Sequence, residues 1–138
     1  MLEQALALAV AAHRGQRNRA GVPYILHPLR VMLKLATCEE RAVAVLHDVV
    51  EDTDVTLDAL AQAFPGRVVA AVDALTRRTG EAYDAYIGRV TGDALARRVK
   101  LADLEDNSDP AHLVDLRPKD HERLARYAAA HARLGAGR

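Results

Sequence analysis

Apolar residues recur three and four positions apart along almost the whole chain, and no stretch alternates apolar with polar as a half-buried strand does. The period predicts eight helices, over residues 1–13, 28–36, 39–51, 57–63, 66–77, 81–90, 93–105 and 119–134. The breaks between them follow residue chemistry. Gly15 ends the first helix, and Pro23 bars a helix inside the Gly-, Arg- and Asn-rich loop 15–26. Pro28 suits a first helical turn, Thr56 is an N-cap for the helix after it, and Pro65 opens the next one. Gly80 and Asp109-Pro110 mark later boundaries. One helix differs from the rest. Apart from His47 and Asp48, positions 42–50 are all apolar, and a helix apolar on most faces is a buried one.

Composition supports this reading. Half of the 138 residues are hydrophobic, there is no Trp, and Ala, Leu and Arg, which lose little on entering a helix, are abundant. The expectation is an all-α fold, a compact single-domain helical bundle over residues 1–138, long enough to bury a core and free of repeats and linkers. The expectation includes no synthetase or regulatory domain after Leu134.

Charge and targeting signals exclude more than they assign. Lys plus Arg number 19 and Asp plus Glu number 19, so no basic balance points to a nucleic-acid polymer. The first twelve residues lack the basic start of a signal peptide, and no apolar run approaches the ~20 residues of a membrane span. The chain reads as cytoplasmic, with no membrane partner and with an oligomeric state that the sequence does not reveal. Cys38 is the only cysteine, which rules out an internal disulfide and a thiolate metal cluster; it reads as a small buried or half-buried filler. His112, Asp115, Arg117 and His121 read as solvated surface.

The chemical signal is His47-Asp48-Val49-Val50-Glu51-Asp52, placed directly after the apolar run. Buried ionisable groups cost several kcal/mol unless they are paired or bound to metal. His47 and Glu51 are four apart, as are Asp48 and Asp52, so on a helix each pair shares a face. His27 stands before Pro28 at a helix start. Asp103 lies among Leu101, Ala102 and Leu104, with Asn107 one turn on. Together His27, His47, Asp48 and Asp103 offer two imidazoles and two carboxylates. Nitrogen and oxygen ligands without thiolate suit Mn²⁺, Fe²⁺, Zn²⁺ or Mg²⁺, and four of them leave coordination positions open on a six-coordinate ion. Glu51 or Asp52, one turn away, is placed to move a proton. Arg14, Arg17 and Arg19 in the first loop, with Lys100, are cations available to phosphate.

Three stretches carry a resemblance. They are 12–16 with 21–28 (Ala-His-Arg-Gly-Gln and Gly-Val-Pro-Tyr-Ile-Leu-His-Pro), 46–53 (Leu-His-Asp-Val-Val-Glu-Asp-Thr), and 100–103 (Lys-Leu-Ala-Asp) with Asn107. In this order they resemble the HD phosphohydrolase superfamily, and more narrowly the hydrolase domain of RelA/SpoT-type enzymes and the small alarmone hydrolases. The resemblance implies an HD-type helical bundle and one Mn²⁺ held by His27, His47, Asp48 and Asp103. It implies removal of the 3′-pyrophosphate of (p)ppGpp, with Glu51 and Asp52 handling water and proton. Arg19, Asn18, Tyr24, Lys100 and Asn107 would bind the nucleotide substrate. Asn18 stands where that family places an arginine, which keeps open a phosphatase of another nucleotide, such as NADPH or a nucleoside monophosphate. A nucleotide-binding HD module without turnover is the reading of a different class.

Overall fold

The computed structural model describes residues 1–112 and 116–135, the side chain of His112 excepted. Asp115 and that side chain therefore lie outside the described residues, while Arg117 and His121 are exposed as expected. Among the described residues there are nine α-helices: α1 (Leu2–Ala12), α2 (Leu26–Leu33), α3 (Cys38–Leu46), α4 (Val49–Asp52), α5 (Leu57–Ala63), α6 (Gly66–Leu75), α7 (Tyr83–Thr91), α8 (Ala94–Asn107) and α9 (Pro118–Gly135). A short 3-10 turn, Pro110–His112, sits between the last two. Among the described residues there is no β-strand; a single bridge between Arg17 and Pro23 closes the first loop. No helix among them is long and apolar enough to cross a membrane.

The apolar run becomes the central helix. Residues Ala42 to Leu46 have no accessible surface, and α3 packs against α1, α2, α6 and α8. Each Val or Leu side chain withdrawn from water in this way contributes ~1.5–3 kcal/mol. α3 starts on a capping box: Glu40 N–H donates to Thr37 Oγ1 at 3.1 Å, and Thr37 N–H donates back to Glu40 Oε1 at 3.1 Å. Asp93 Oδ1 caps α8 by accepting from Ala96 N–H at 2.9 Å, and Thr56 caps α5 as its sequence position predicts. α8 then runs beside α3 with Val99, Leu101 and Leu104 buried, and α9 covers α7 and α8.

Three sequence expectations are corrected. The helix expected over 39–51 is two helices, α3 and α4, separated at His47 and Asp48. His47 Nδ1 donates to the Ala44 carbonyl, the acceptor that the next helical turn would use, so a side chain displaces a backbone bond at this point. The helix expected from Pro28 begins at Leu26, which places His27 inside its first turn, where the amide that Pro28 lacks is unneeded. Cys38, expected as filler, is exposed at the start of α3.

Candidate metal centre and active site

Three segments bring four side chains to one point. His27 comes from the first turn of α2, His47 and Asp48 from the break between α3 and α4, and Asp103 from the middle of α8. Asp103 Oδ1 lies 2.8 Å from His27 Nε2 and 3.2 Å from His47 Nε2. Asp48 Oδ2 lies 3.1 Å from His47 Nε2 and 4.0 Å from His27 Nε2. Donors about 2.1 Å from a six-coordinate ion stand about 3 Å apart when adjacent and about 4.2 Å apart when opposite. The observed spacings fit that polyhedron. His27, His47 and Asp103 alone form a group able to hold a metal ion, and Asp48 extends it.

Each of these four side chains is held from behind. His27 Nδ1 faces Asp106 Oδ2 at 2.6 Å, and Arg30 grips that carboxylate through Nε at 2.8 Å and Nη2 at 3.0 Å. His47 Nδ1 is committed to Ala44. The Tyr24 hydroxyl donates to Asp48 Oδ2. Lys100 Nζ donates to Asp103 Oδ2 at 2.8 Å, and Asn107 Nδ2 to Asp103 Oδ1 at 3.3 Å. Contacts of this kind fix the orientation and tautomer of metal-binding side chains.

Electrostatics follows from the crowding. Burial works against an imidazolium at His27, but hydrogen bonds with Asp103 and Asp106 outweigh it and raise its pKa to about 9. His47 is raised in the same sense, against burial, by Asp48 and Asp103. Burial also opposes charge on Asp103 and Asp48, yet Lys100 and His27 lower the first and His47 lowers the second. Two carboxylates and two imidazolium protons thus balance without metal, and a divalent cation replaces those protons charge for charge. Asp52 differs. Burial, then Asp48, then Glu51 push its pKa up to about 6.

Three of the four, His27, Asp48 and Asp103, line the floor of a cavity of about 430 Å³, and His47 is buried beside them. Glu51, Asp52, Tyr24, Lys100, Asn107, Asn18 and Arg19 all line it, so the residues that the resemblance assigns to catalysis and substrate binding meet at one place. Their individual settings vary. Glu51 Oε1 accepts from Arg77 N–H at 2.8 Å. Asn18 Oδ1 accepts from Val22 N–H at 3.2 Å within its own loop. Arg19 reaches across the mouth to Asp120, at 3.1 and 3.2 Å. Arg14 and Arg17 do not line the cavity, and Arg17 Nη1 donates to the Gly21 carbonyl at 2.9 Å. Sequence reasoning missed Asp106 and Arg30, although each stands three residues after a ligand on the same helix face. It also missed the wall from α9, namely Asp120, Arg123, Leu124 and Tyr127, for which no motif exists.

Comparisons with known proteins identify the family. Residues 5–89 match the HD domain family model. The chain belongs to the HD domain family. Membership carries divalent-metal binding with it, and the donor set described above suits such an ion. Among curated relatives, a guanosine-3′,5′-bis(diphosphate) 3′-pyrophosphohydrolase of Aquifex aeolicus is 34% identical over 77% of this chain and 17% of its own length. The bifunctional (p)ppGpp synthase/hydrolase SpoT of Escherichia coli K12 is 33% identical over 91% of this chain and 20% of its own length. This HD chain therefore spans about a fifth of the relatives it matches. A solved structure described as a metazoan orthologue of SpoT that hydrolyses ppGpp has the same fold, with a TM-score of 0.79, 22% identity, and coverage of 96% of this chain and 84% of the other.

Proposed function

We propose that the chain is a Mn²⁺-dependent hydrolase that removes the 3′-pyrophosphate of guanosine 3′,5′-bis(diphosphate) or a close alarmone. The observation that carries this reading is the convergence of His27, His47, Asp48 and Asp103 at the base of a cavity, with acids and cations on its walls. The pyrophosphohydrolase of Aquifex aeolicus and the SpoT of Escherichia coli support the substrate class. An ion held by these four residues supplies a Lewis acid for a phosphate oxygen and lowers the pKa of nearby water.

The rest falls to the chain itself. Asp52 takes a proton from the attacking water, its carboxyl being tuned close to neutrality where a base works best. The water oxygen bonds to the phosphorus next to the ribose, the bond from that phosphorus to the 3′ oxygen breaks, and the leaving oxygen regains a proton from the acid pair. Glu51 sits one residue before Asp52 and raises its pKa, so the two act as a pair. Lys100 holds Asp103 in place, and Arg123 at the mouth meets the phosphates. Tyr24 steadies Asp48, and Asn107 steadies Asp103.

A second reading has one observation behind it. Asn18 Oδ1 accepts from Val22 N–H within its loop, and Arg19 is bridged to Asp120 at the cavity mouth. That favours a looser choice of base, or the phosphate of NADPH. The test is a panel of ppGpp, ppApp, NADPH and nucleoside mono- and triphosphates, each with Mn²⁺ and with chelator. Pyrophosphate released from ppGpp or ppApp only with Mn²⁺ supports the proposal. Orthophosphate from NADPH alone would move the substrate, and turnover of none would replace the enzyme with a binding module.

A further inference from the structure

The first motif, His13-Arg14-Gly15-Gln16, has no part in the chemistry described so far, yet it touches the acid pair. His13 is buried at the end of α1, and its Nδ1 lies 2.8 Å from Gln16 Oε1. Gln16 Nε2 donates to the Asp52 backbone carbonyl at 3.0 Å, 36 positions along the chain. The Gln16 backbone is fixed as well: its N–H donates to the His13 carbonyl at 3.0 Å, and its carbonyl accepts from Tyr24 N–H at 2.9 Å. One glutamine thus joins the end of α1, the loop before α2, and α4.

The short helix α4 needs such an anchor. A single helical turn is unfavourable to nucleate alone, and the last carbonyls of a helix have no partner inside it. Within α4, Asp52 N–H donates to Asp48 O at 2.9 Å and Thr53 N–H to Val49 O at 3.1 Å. The Asp52 carbonyl lies beyond those bonds, and the Gln16 carboxamide meets it. It belongs to the same residue whose carboxyl lines the cavity, so a shift of this carbonyl moves the carboxyl with it.

We propose that His13 and Gln16 are positioning residues for Asp52. The proton on His13 Nδ1 holds Gln16 Oε1, which turns the NH₂ end of the carboxamide onto the Asp52 carbonyl. His13 Nε2 is buried with no hydrogen-bond partner, which suits the neutral tautomer protonated on Nδ1, because that nitrogen then strands no donor. The same ring packs 5.1 Å from Tyr24, whose hydroxyl holds Asp48. One buried imidazole thereby braces both the acid and a cluster side chain.

The kinetic consequence rests on the proposed hydrolase reading; the structural one does not. Gln16→Glu keeps an oxygen for His13 but sets a second oxygen against the Asp52 carbonyl. Amide exchange over residues 49–53 is expected to rise about tenfold in this variant, with α3 and α8 protected as in wild type. Against ppGpp, kcat is expected to fall about tenfold to a hundredfold while KM and Mn²⁺ affinity stay within about twofold. His13→Leu should fall likewise, and His13→Asn, whose Nδ2 can stand in for Nδ1, should recover most of that loss. Unchanged exchange over 49–53 in Gln16→Glu overturns the proposal, as does lost protection throughout α3 and α8. A risen KM with intact kcat also overturns it, by placing Gln16 in substrate binding. A wild-type protein inert toward ppGpp would sink the hydrolase reading, and the exchange comparison would still decide this one.

Discussion

Asp106 and His27 meet through Oδ2 and Nδ1 at 2.6 Å, from helices 79 positions apart in sequence. The contact decides which nitrogen of His27 faces the cluster, because Nδ1 is spent on a carboxylate and Nε2 is left for Asp103 and Asp48. Arg30 holds the same carboxylate with two nitrogens, so the imidazole, the acid and the guanidinium form one chain running outward from the cluster.

Asp106→Asn should therefore weaken Mn²⁺ binding by about tenfold to a hundredfold, read by calorimetric titration. The fold should survive, since the Arg30 side chain is 30% exposed and can turn to water. A variant that binds the ion as wild type does would remove Asp106 from the account of how His27 is oriented.

Asp52→Asn should part stability from activity. The Asp52 pKa is raised from 3.8 to about 6, so the folded state holds a proton that the unfolded chain has released between those values. Below about pH 4 both states are protonated and Asp52 has no effect. Above about pH 6 both are ionised, and the fold carries the full cost of that charge. Metal-free Asp52→Asn should thus melt higher than wild type at pH 8 and at the same temperature at pH 3.5, while losing most turnover with Mn²⁺. A lower melting temperature at pH 8 would mean that the carboxylate stabilises the fold instead.

Arg123→Ala should raise KM for ppGpp by about tenfold with a smaller change in kcat, read from initial rates. Arg123 lines the cavity from α9 and lies 3.8 Å from Asp120, which also receives Arg19. An unchanged KM would show that the α9 wall does not meet the phosphates.

Most helices were legible in the sequence because their period is a local signal, while His27 and Asp103 drew notice only beside His47-Asp48 and the resemblance. The apolar run 42–50 predicts a buried helix, and His47-Asp48 at its end puts ionisable groups where only a partner or an ion makes them tolerable. What the sequence hid was not local. The α3–α4 break depends on the His47 ring taking the Ala44 carbonyl, which no helical period reports. Asp106 and Arg30 resemble any surface pair until α2 and α8 are placed side by side. Gln16 is a loop residue whose partner is a backbone carbonyl, a group present at every position and so invisible as a motif. Arg19 was read as a phosphate ligand, and its bridge to Asp120 appears only once α9 lies against the first loop.

The central claim is that His27, His47, Asp48 and Asp103 hold one divalent ion. Crystals grown with Mn²⁺ and measured on both sides of the manganese absorption edge test it directly. One anomalous peak should lie within about 2.0–2.3 Å of His27 Nε2, His47 Nε2, Asp48 Oδ2 and Asp103 Oδ1, and it should vanish in Asp48→Ala. A peak at other residues, or none in protein that still hydrolyses nucleotide, would contradict it.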